Sequence, residues 1–134
     1  MISGKELKIE SKPENINQLE AYVQDVINHI GVNSTKFADI LISLTEAVNN
    51  AMIHGNKNNV QKHVLIKCKA QKTGIYFSVK DEGDGFDPRA VPDPTDLDHI
   101  ECCGGRGVHI MTQLADSIKF RDNGTRVEMF FDNK

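Results

Sequence analysis

Glu46 and Asn50 lie four residues apart in a stretch of helical spacing, so they share one face of a helix. At about 100° per residue, that face lies opposite the apolar stripe of Phe37, Leu44 and Val48. It also carries Ile42, Asn49 and Ile53. A solvated helix face is usually built from Lys and Glu. One Glu, two Asn and two Ile look more like the wall of a binding site, although a merely polar surface is the competing reading. Asn is a poor interior helix residue, and here two are consecutive. The second stretch is Asp81-Glu82-Gly83-Asp84-Gly85-Phe86-Asp87, which starts at the exit of an alternating apolar segment. Glycines at 83 and 85 let backbone approach a ligand closely or take a positive φ. A calcium loop needs oxygen ligands at the third and fifth positions, where Gly83 and Gly85 stand, so that chemistry fails. A simple surface loop stays open. The third stretch, Gly104-Gly105-Arg106-Gly107, leads into a helical pattern. Backbone N–H groups at a helix N-terminus can be offered to phosphates, aided by the helix dipole, and Arg106 adds a permanent charge. The stretch is neither a P-loop, which needs Gly-Lys-Ser/Thr, nor the dinucleotide fingerprint. A tight turn is its alternative.

These stretches need elements to hold them. Residues 4–10 alternate weakly through Leu7 and Ile9 and predict a first strand. Pro13 opens a long helical pattern carrying Ile16, Leu19, Tyr22, Val23, Val26, Ile27 and Ile30, which Gly31 stops. The Tyr22/Val26/Ile30 stripe reads as core or dimer surface. Ser34 and Thr35 are expected to cap a second helix that runs to about His54, with Gly55 as its C′ residue. His54 is expected to satisfy that helix's C-terminus. Phe37, Ile40, Leu41, Leu44, Val48 and Ala51 form the apolar stripe of this helix, and Asn56 to Asn59 make a polar turn. Val64–Cys68 and Ile75–Val79 predict two strands joined by a hairpin at Thr73-Gly74. Residues 81–104 form a polar segment longer than the ~12–15 residues beyond which a loop in a compact domain is often a functional lid. A third helix is expected from near Gly107 to about Ala115, and Ile118–Arg121 with Arg126–Phe131 closes a hairpin around Asp122-Asn123-Gly124. The order is β-α-α-β-β-loop-α-β-β. Paired strands, rather than strict βαβ alternation, predict an α/β fold of the α+β two-layer kind. Its sheet is antiparallel or mixed, with the helices on one face.

Composition narrows the functional classes. A chain of 134 residues is most simply one domain, 1–134. A hydrophobic fraction of 39% and a charged fraction of 26% suit a soluble globular protein. A net charge of −3 argues against nucleic acid as the partner. Cys68, Cys102 and Cys103 are odd in number and two are adjacent, which fits a reducing cytosol better than a disulfide framework. The first twenty residues lack the apolar core of a signal peptide, and no apolar run approaches ~18 residues, so a cytoplasmic protein with no membrane span is expected. His99, Cys102, Cys103 and His109 could suggest zinc, but adjacent cysteines bind one metal poorly and no C-x-x-C is present.

Taken in order, the three stretches resemble the GHKL (Bergerat-fold) ATPase family, which includes gyrase B, histidine kinases and MutL. Glu46-Ala47-Val48-Asn49-Asn50-Ala51 with His54-Gly55 is similar to its N box. Asp81-x-Gly83-x-Gly85-Phe86 is similar to its first glycine box, and Gly105-x-Gly107-Val108 to its second. Gly124-Thr125, just before the last strand, matches the remaining element. The resemblance covers nearly the whole chain. Within the family, the sequence looks most like the small stand-alone anti-sigma-factor serine/threonine kinases, whose N box E-A-x-x-N-A-x-x-H-G is reproduced by residues 46–55. A histidine kinase would need a phosphoacceptor-His helical hairpin, which this length is not expected to hold.

The resemblance implies ATP and Mg²⁺ as cofactors and a role for each matching residue. Asn50 would coordinate the Mg²⁺ that bridges the phosphates, and one neutral ligand suffices because Mg²⁺ keeps several waters. Glu46 would be the general base for the attacking hydroxyl. Asp81 would bind the adenine amino group, which favours ATP over GTP because guanine presents a carbonyl there. Thr125 would support the adenine directly or through water, and Gly83 and Gly85 would make room for the nucleotide. Gly105, Arg106, Gly107 and Val108 would close over the phosphates, with residues 87–104 as lid. In one departure, some anti-sigma kinases carry an Arg just before the second glycine box, where this chain has Cys103 and Gly104. Arg106 lies inside the box and is the candidate substitute. The implied partners are a STAS-domain anti-anti-sigma protein as substrate, a sigma factor to sequester, and a second copy in a homodimer. The competing functions are a nucleotide-gated protein-binding module with little or no kinase activity, and a phosphatase-linked or histidine-kinase-derived module.

Overall fold

The computed structural model describes residues 6–83 and 105–132, without the side chains of 105–109 and of Asn123. The elements run β1 (Glu6–Glu10), α1 (Gln18–Ile30), α2 (Phe37–Asn50), β2 (His63–Gln71), β3 (Gly74–Lys80), α3 (Gly105–Leu114), β4 (Ser117–Arg121) and β5 (Arg126–Asp132). This is the expected order. The strands form one sheet in the order β1-β2-β3-β5-β4. Each neighbouring pair is antiparallel, so of the antiparallel and mixed alternatives the described strands take the first. β5 inserts between β3 and β4, so the last strand of the chain lies beside the strand that ends at Lys80.

Period-two alternation gives the sheet one apolar face. Val64, Ile66 and Cys68 of β2, Ile75, Phe77 and Val79 of β3, and Val127, Met129 and Phe131 of β5 are all buried. The same core takes in Leu19, Tyr22, Val23, Val26 and Ile27 of α1 and Ile40, Leu44, Ala47 and Val48 of α2. Tyr22 and Val26 are buried and Ile30 packs against the core, so that stripe is core. Fully burying each such Val, Leu, Ile or Phe stabilises the fold by roughly 1.5–3 kcal/mol. This packing, rather than helix propensity, fixes α2 in place over the sheet.

The helix ends carry the differences from expectation. Gly31 stops α1 as predicted, with φ +84° and its N–H donating to Ile27 O at 3.0 Å. The turn Pro13–Asn17 is 3₁₀ and the α-helix proper begins at Gln18. Neither Ser34 nor Thr35 caps α2: the residue before it is Lys36, which makes no side-chain cap bond, and the side-chain cap is Asn33, on the 3₁₀ turn that precedes the helix. Asn33 Oδ1 accepts from Thr35 N at 3.0 Å and from Thr35 Oγ1 at 2.9 Å, and Ser34–Lys36 form a 3₁₀ turn. At the end of α2 a π-helical turn, Ala51–Gly55, replaces the expected left-handed glycine cap. Gly55 is not among the residues with positive φ, and the left-handed reversal falls on Lys57 (φ 53°) and Asn58 (φ 59°). Gly55 serves a different purpose, described next.

Candidate functional site

The exit of β3 meets the end of α2. Asp81 follows the last residue of β3 and is 8% exposed. Its backbone N–H donates to Thr125 O at 2.8 Å, which ties it to the turn preceding β5. Its Oδ1 accepts from Gly83 N at 2.8 Å. Burial pushes the Asp81 carboxyl above its ordinary range, while the Gly83 N–H and the nearby Lys80 and Lys62 pull it down. Among the described residues Oδ2 accepts no hydrogen bond.

Gly55 and Gly83 explain this seat. A β-carbon on residue 55 would overlap the Asp81 carboxylate, and one on residue 83 would overlap the Gly55 carbonyl. The two glycines let the α2 end and the loop after β3 close on each other, with Asp81 held between them. Gly83 was legible as a close-approach glycine. Gly55 matched the N box by sequence, but its contact with Asp81 spans two separate elements and left no local signal.

Asn56 is the residue that sequence reasoning missed. It looked like the first residue of a polar turn, yet it is 1% exposed and fully engaged. Its Oδ1 accepts from Glu82 N at 2.7 Å, and its Nδ2 donates to Ser11 Oγ at 2.9 Å and His63 O at 3.0 Å. Nothing in the sequence separates it from the nearby Asn58 and Asn59.

Thr125 lies on the far side of Asp81. Its hydroxyl donates to Asp122 O at 2.8 Å and accepts from Lys80 Nζ at 3.1 Å, while its carbonyl holds the Asp81 N–H. On α2, Glu46, Asn49 and Asn50 are half-buried, flanked by the exposed Ile42 and Ile53. α3 packs against α2. Gly105, Arg106, Gly107 and Val108 form the first turn of α3, which begins two residues earlier than expected. Gly85, the lid at 87–104, and His99, Cys102, Cys103 and Gly104 lie outside the described residues.

The donor set suits a nucleotide with its divalent ion. Asp81 has one carboxylate oxygen with no hydrogen bond among the described residues, in a cradle that admits no β-carbon. Asn50 offers a neutral amide oxygen, the kind of ligand that Mg²⁺ accepts when phosphates and waters supply the rest. Among the described residues no cluster of three or more His, Cys, Asp or Glu could hold a metal by itself.

Comparison with known proteins bears on the family and the fold. The model of the histidine kinase-like ATPase domain matches residues 9–131. The chain belongs to that family. Its curated relatives include the serine-protein kinase RsbW of Bacillus subtilis, 26% identical over 133 residues, covering 92% of this chain and 82% of the relative. The serine-protein kinase RsbW of Oceanobacillus iheyensis is 24% identical over 123 residues, covering 87% and 78%. The anti-sigma F factor of Clostridium novyi is 27% identical over 136 residues, covering 96% and 94%. Among solved structures, the RsbU and RsbW domains of a Mycobacterium tuberculosis protein superpose with a TM-score of 0.68 at 15% identity. That match covers 98% of this chain but only 32% of the longer one, and at this identity it shows the fold alone.

Proposed function

We propose that this chain is an ATP-dependent protein serine/threonine kinase and anti-sigma factor. It phosphorylates a serine on a STAS-domain anti-anti-sigma partner, sequesters a sigma factor, and works as a homodimer in the cytoplasm. Among the described residues no helix is long and apolar enough to cross a membrane. The observation that carries the reading is Glu46. It is a half-buried carboxylate one helical turn before Asn50, on the helix that ends against Asp81. A pure nucleotide-gated binder needs Asp81 and Asn50 but has no use for a base beside them. The names of the curated relatives support the same class of activity and partner.

In this reading, Asp81 Oδ2 accepts from the adenine amino group, with Gly83 and Gly85 leaving room for the base and Thr125 supporting it. Asn50 holds Mg²⁺, which supplies charge neutralisation on the phosphates. The first turn of α3 presents Gly105, Arg106, Gly107 and Val108 to the phosphate groups. Glu46 takes the proton of the attacking serine hydroxyl as its oxygen bonds to the γ-phosphorus and the bond to ADP breaks. Because phosphoryl transfer is mostly positioning and charge stabilisation, the base contributes about 10²–10⁴-fold of the rate.

The test is incubation with radiolabelled ATP, Mg²⁺ and a STAS-domain protein. Serine labelling that disappears in Glu46→Gln while ATP binding survives is the expected result. Equal labelling by Glu46→Gln removes Glu46 from the base role. Absence of labelling by the native chain, with ATP binding intact, favours the nucleotide-gated module.

A further inference from the structure

We infer that Asn56 is a positioning residue that sets base selectivity. Its buried amide clamps the peptide between Asp81 and Gly83, so that the Asp81 carboxylate keeps the orientation needed to read a base. The inference rests on the nucleotide reading of Asp81.

Three successive N–H groups define this loop, and each has its own anchor. Asp81 N is held by Thr125 O, Glu82 N by Asn56 Oδ1, and Gly83 N by Asp81 Oδ1. The first anchor comes from the turn before β5 and the third lies within the loop. Only the second ties the loop by a hydrogen bond to the end of α2. The Asn56 N–H donates to Ala51 O at 2.7 Å, which closes the π turn and fixes the clamp relative to that helix.

The amide has one workable orientation. His63 O can only accept, and Glu82 N–H can only donate. Ser11 Oγ spends its proton on Lys62 O at 2.8 Å, so toward Asn56 it acts as acceptor. Both Nδ2 protons and Oδ1 are therefore assigned, and flipping the amide would set oxygen against two acceptors. Glu82 adds a weaker tie of its own, accepting from His63 N at Oε1 at 3.2 Å. A buried network with every group satisfied is rigid and specifies one arrangement.

Selectivity follows from what the clamp orients. Asp81 Oδ2 is useful to adenine, which offers an amine, and of no use to guanine, which offers a carbonyl. If the 81–83 peptides rotate, ATP loses an interaction that GTP never had. Damage to the clamp therefore falls on the ratio of the two affinities. A structural defect that only reduces the folded fraction lowers both measured site concentrations alike and cancels in that ratio.

The experiment measures Kd for ATP and for GTP, with Mg²⁺, by calorimetry on the full chain and on three variants. The native chain is expected to prefer ATP. Asn56→Ala should reduce that preference about tenfold, the size of one charge-assisted contact. Asn56→Gln keeps the amide but displaces it by a methylene, and should reduce the preference similarly, which keeps the test alive if Asn56→Ala does not fold. Ser11→Ala removes one of the two Nδ2 contacts, leaves Oδ1 on Glu82 N, and should hold the preference within about threefold of native. An unchanged ratio in Asn56→Ala and Asn56→Gln overturns the clamp and leaves Asp81 as the base reader. A ratio that falls as far in Ser11→Ala as in Asn56→Ala assigns the effect to the Nδ2 contacts and also overturns it. A native chain with no preference for ATP overturns both the clamp and the reading it rests on.

Discussion

The Asp81 end of the site and the Glu46–Asn50 face of α2 are built in opposite ways. Asp81 is 8% exposed and pinned through Thr125, Gly83 and the Gly55 contact, with Asn56 behind it. Glu46 and Asn50 are half-buried, and among the described residues their side chains make no hydrogen bond. Ile42 and Ile53 beside them are 46% and 48% exposed. Among the described residues one end is tied through several contacts, and the other is a half-buried face of side chains on α2. In the proposed reading recognition is thus built into the fold, where it shares its contacts with stability. In the same reading the chemistry is mounted on the surface of α2, where a change is expected to cost the fold little.

The largest test of this contrast is Glu46→Gln. Transfer to a STAS partner should fall about 10²–10⁴-fold. ATP affinity should stay within about twofold and stability within about 0.5 kcal/mol, the usual range for a surface substitution. A stability loss of the size seen in a core variant would show that this face supports the fold. Gly55→Ala should do the reverse. Its methyl group displaces the Asp81 carboxylate, so denaturant unfolding should register a loss of about 1–3 kcal/mol, as for other overpacked sites. ATP affinity should fall at least tenfold with it, since the cradle for the base no longer closes. Normal ATP binding by Gly55→Ala would separate the cradle from the ligand. Asp81→Asn is milder on the fold, because an amide oxygen can still accept from Gly83 N. It should weaken ATP about tenfold, the loss expected when a charged acceptor is removed from a hydrogen bond. Unchanged affinity by calorimetry would remove Asp81 from base recognition.

Sequence reasoning reached the α2 face and the ends of the cradle but not the ties between them. The α1 stop at Gly31 and the buried alternation of β3 are local consequences of residue type, and both were legible. Asp81 and Gly83 stood out only in order with the other two stretches, since a simple surface loop would look the same by itself. The Gly55 contact and the Asn56 network join residues 26 and 45 positions apart in the chain. No periodicity or propensity encodes such a pairing, which exists only once β1, β2 and α2 have packed. The cap of the 3₁₀ turn before α2 shows the same limit on a smaller scale. Asn33, Ser34 and Thr35 are all good caps, and the backbone selects Asn33 by where the 3₁₀ turn begins. The place of β5 between β3 and β4 is likewise a tertiary outcome, and it brings Thr125 to Asp81.

The smallest expected effect is a pH signature confined to the Asp81 end. Burial raises the Asp81 carboxyl in the folded chain above the 3.8 of an ordinary aspartate. Between those two values the folded state holds a proton that the unfolded state has released, so stability falls as pH rises through the interval and levels off above it. The native chain should therefore lose a fraction of its stability across that acidic window, and Asp81→Asn should not, when chemical-denaturation midpoints are compared at each pH. Ligand binding should run the other way, because only the ionised carboxylate accepts from an amine at Oδ2. ATP affinity should weaken as pH drops through the same window, with GTP far less affected. A stability difference between the native chain and Asp81→Asn that stays constant from pH 4 to pH 7 would mean that burial of Asp81 is relieved by water, and that this end is less closed than its contacts imply.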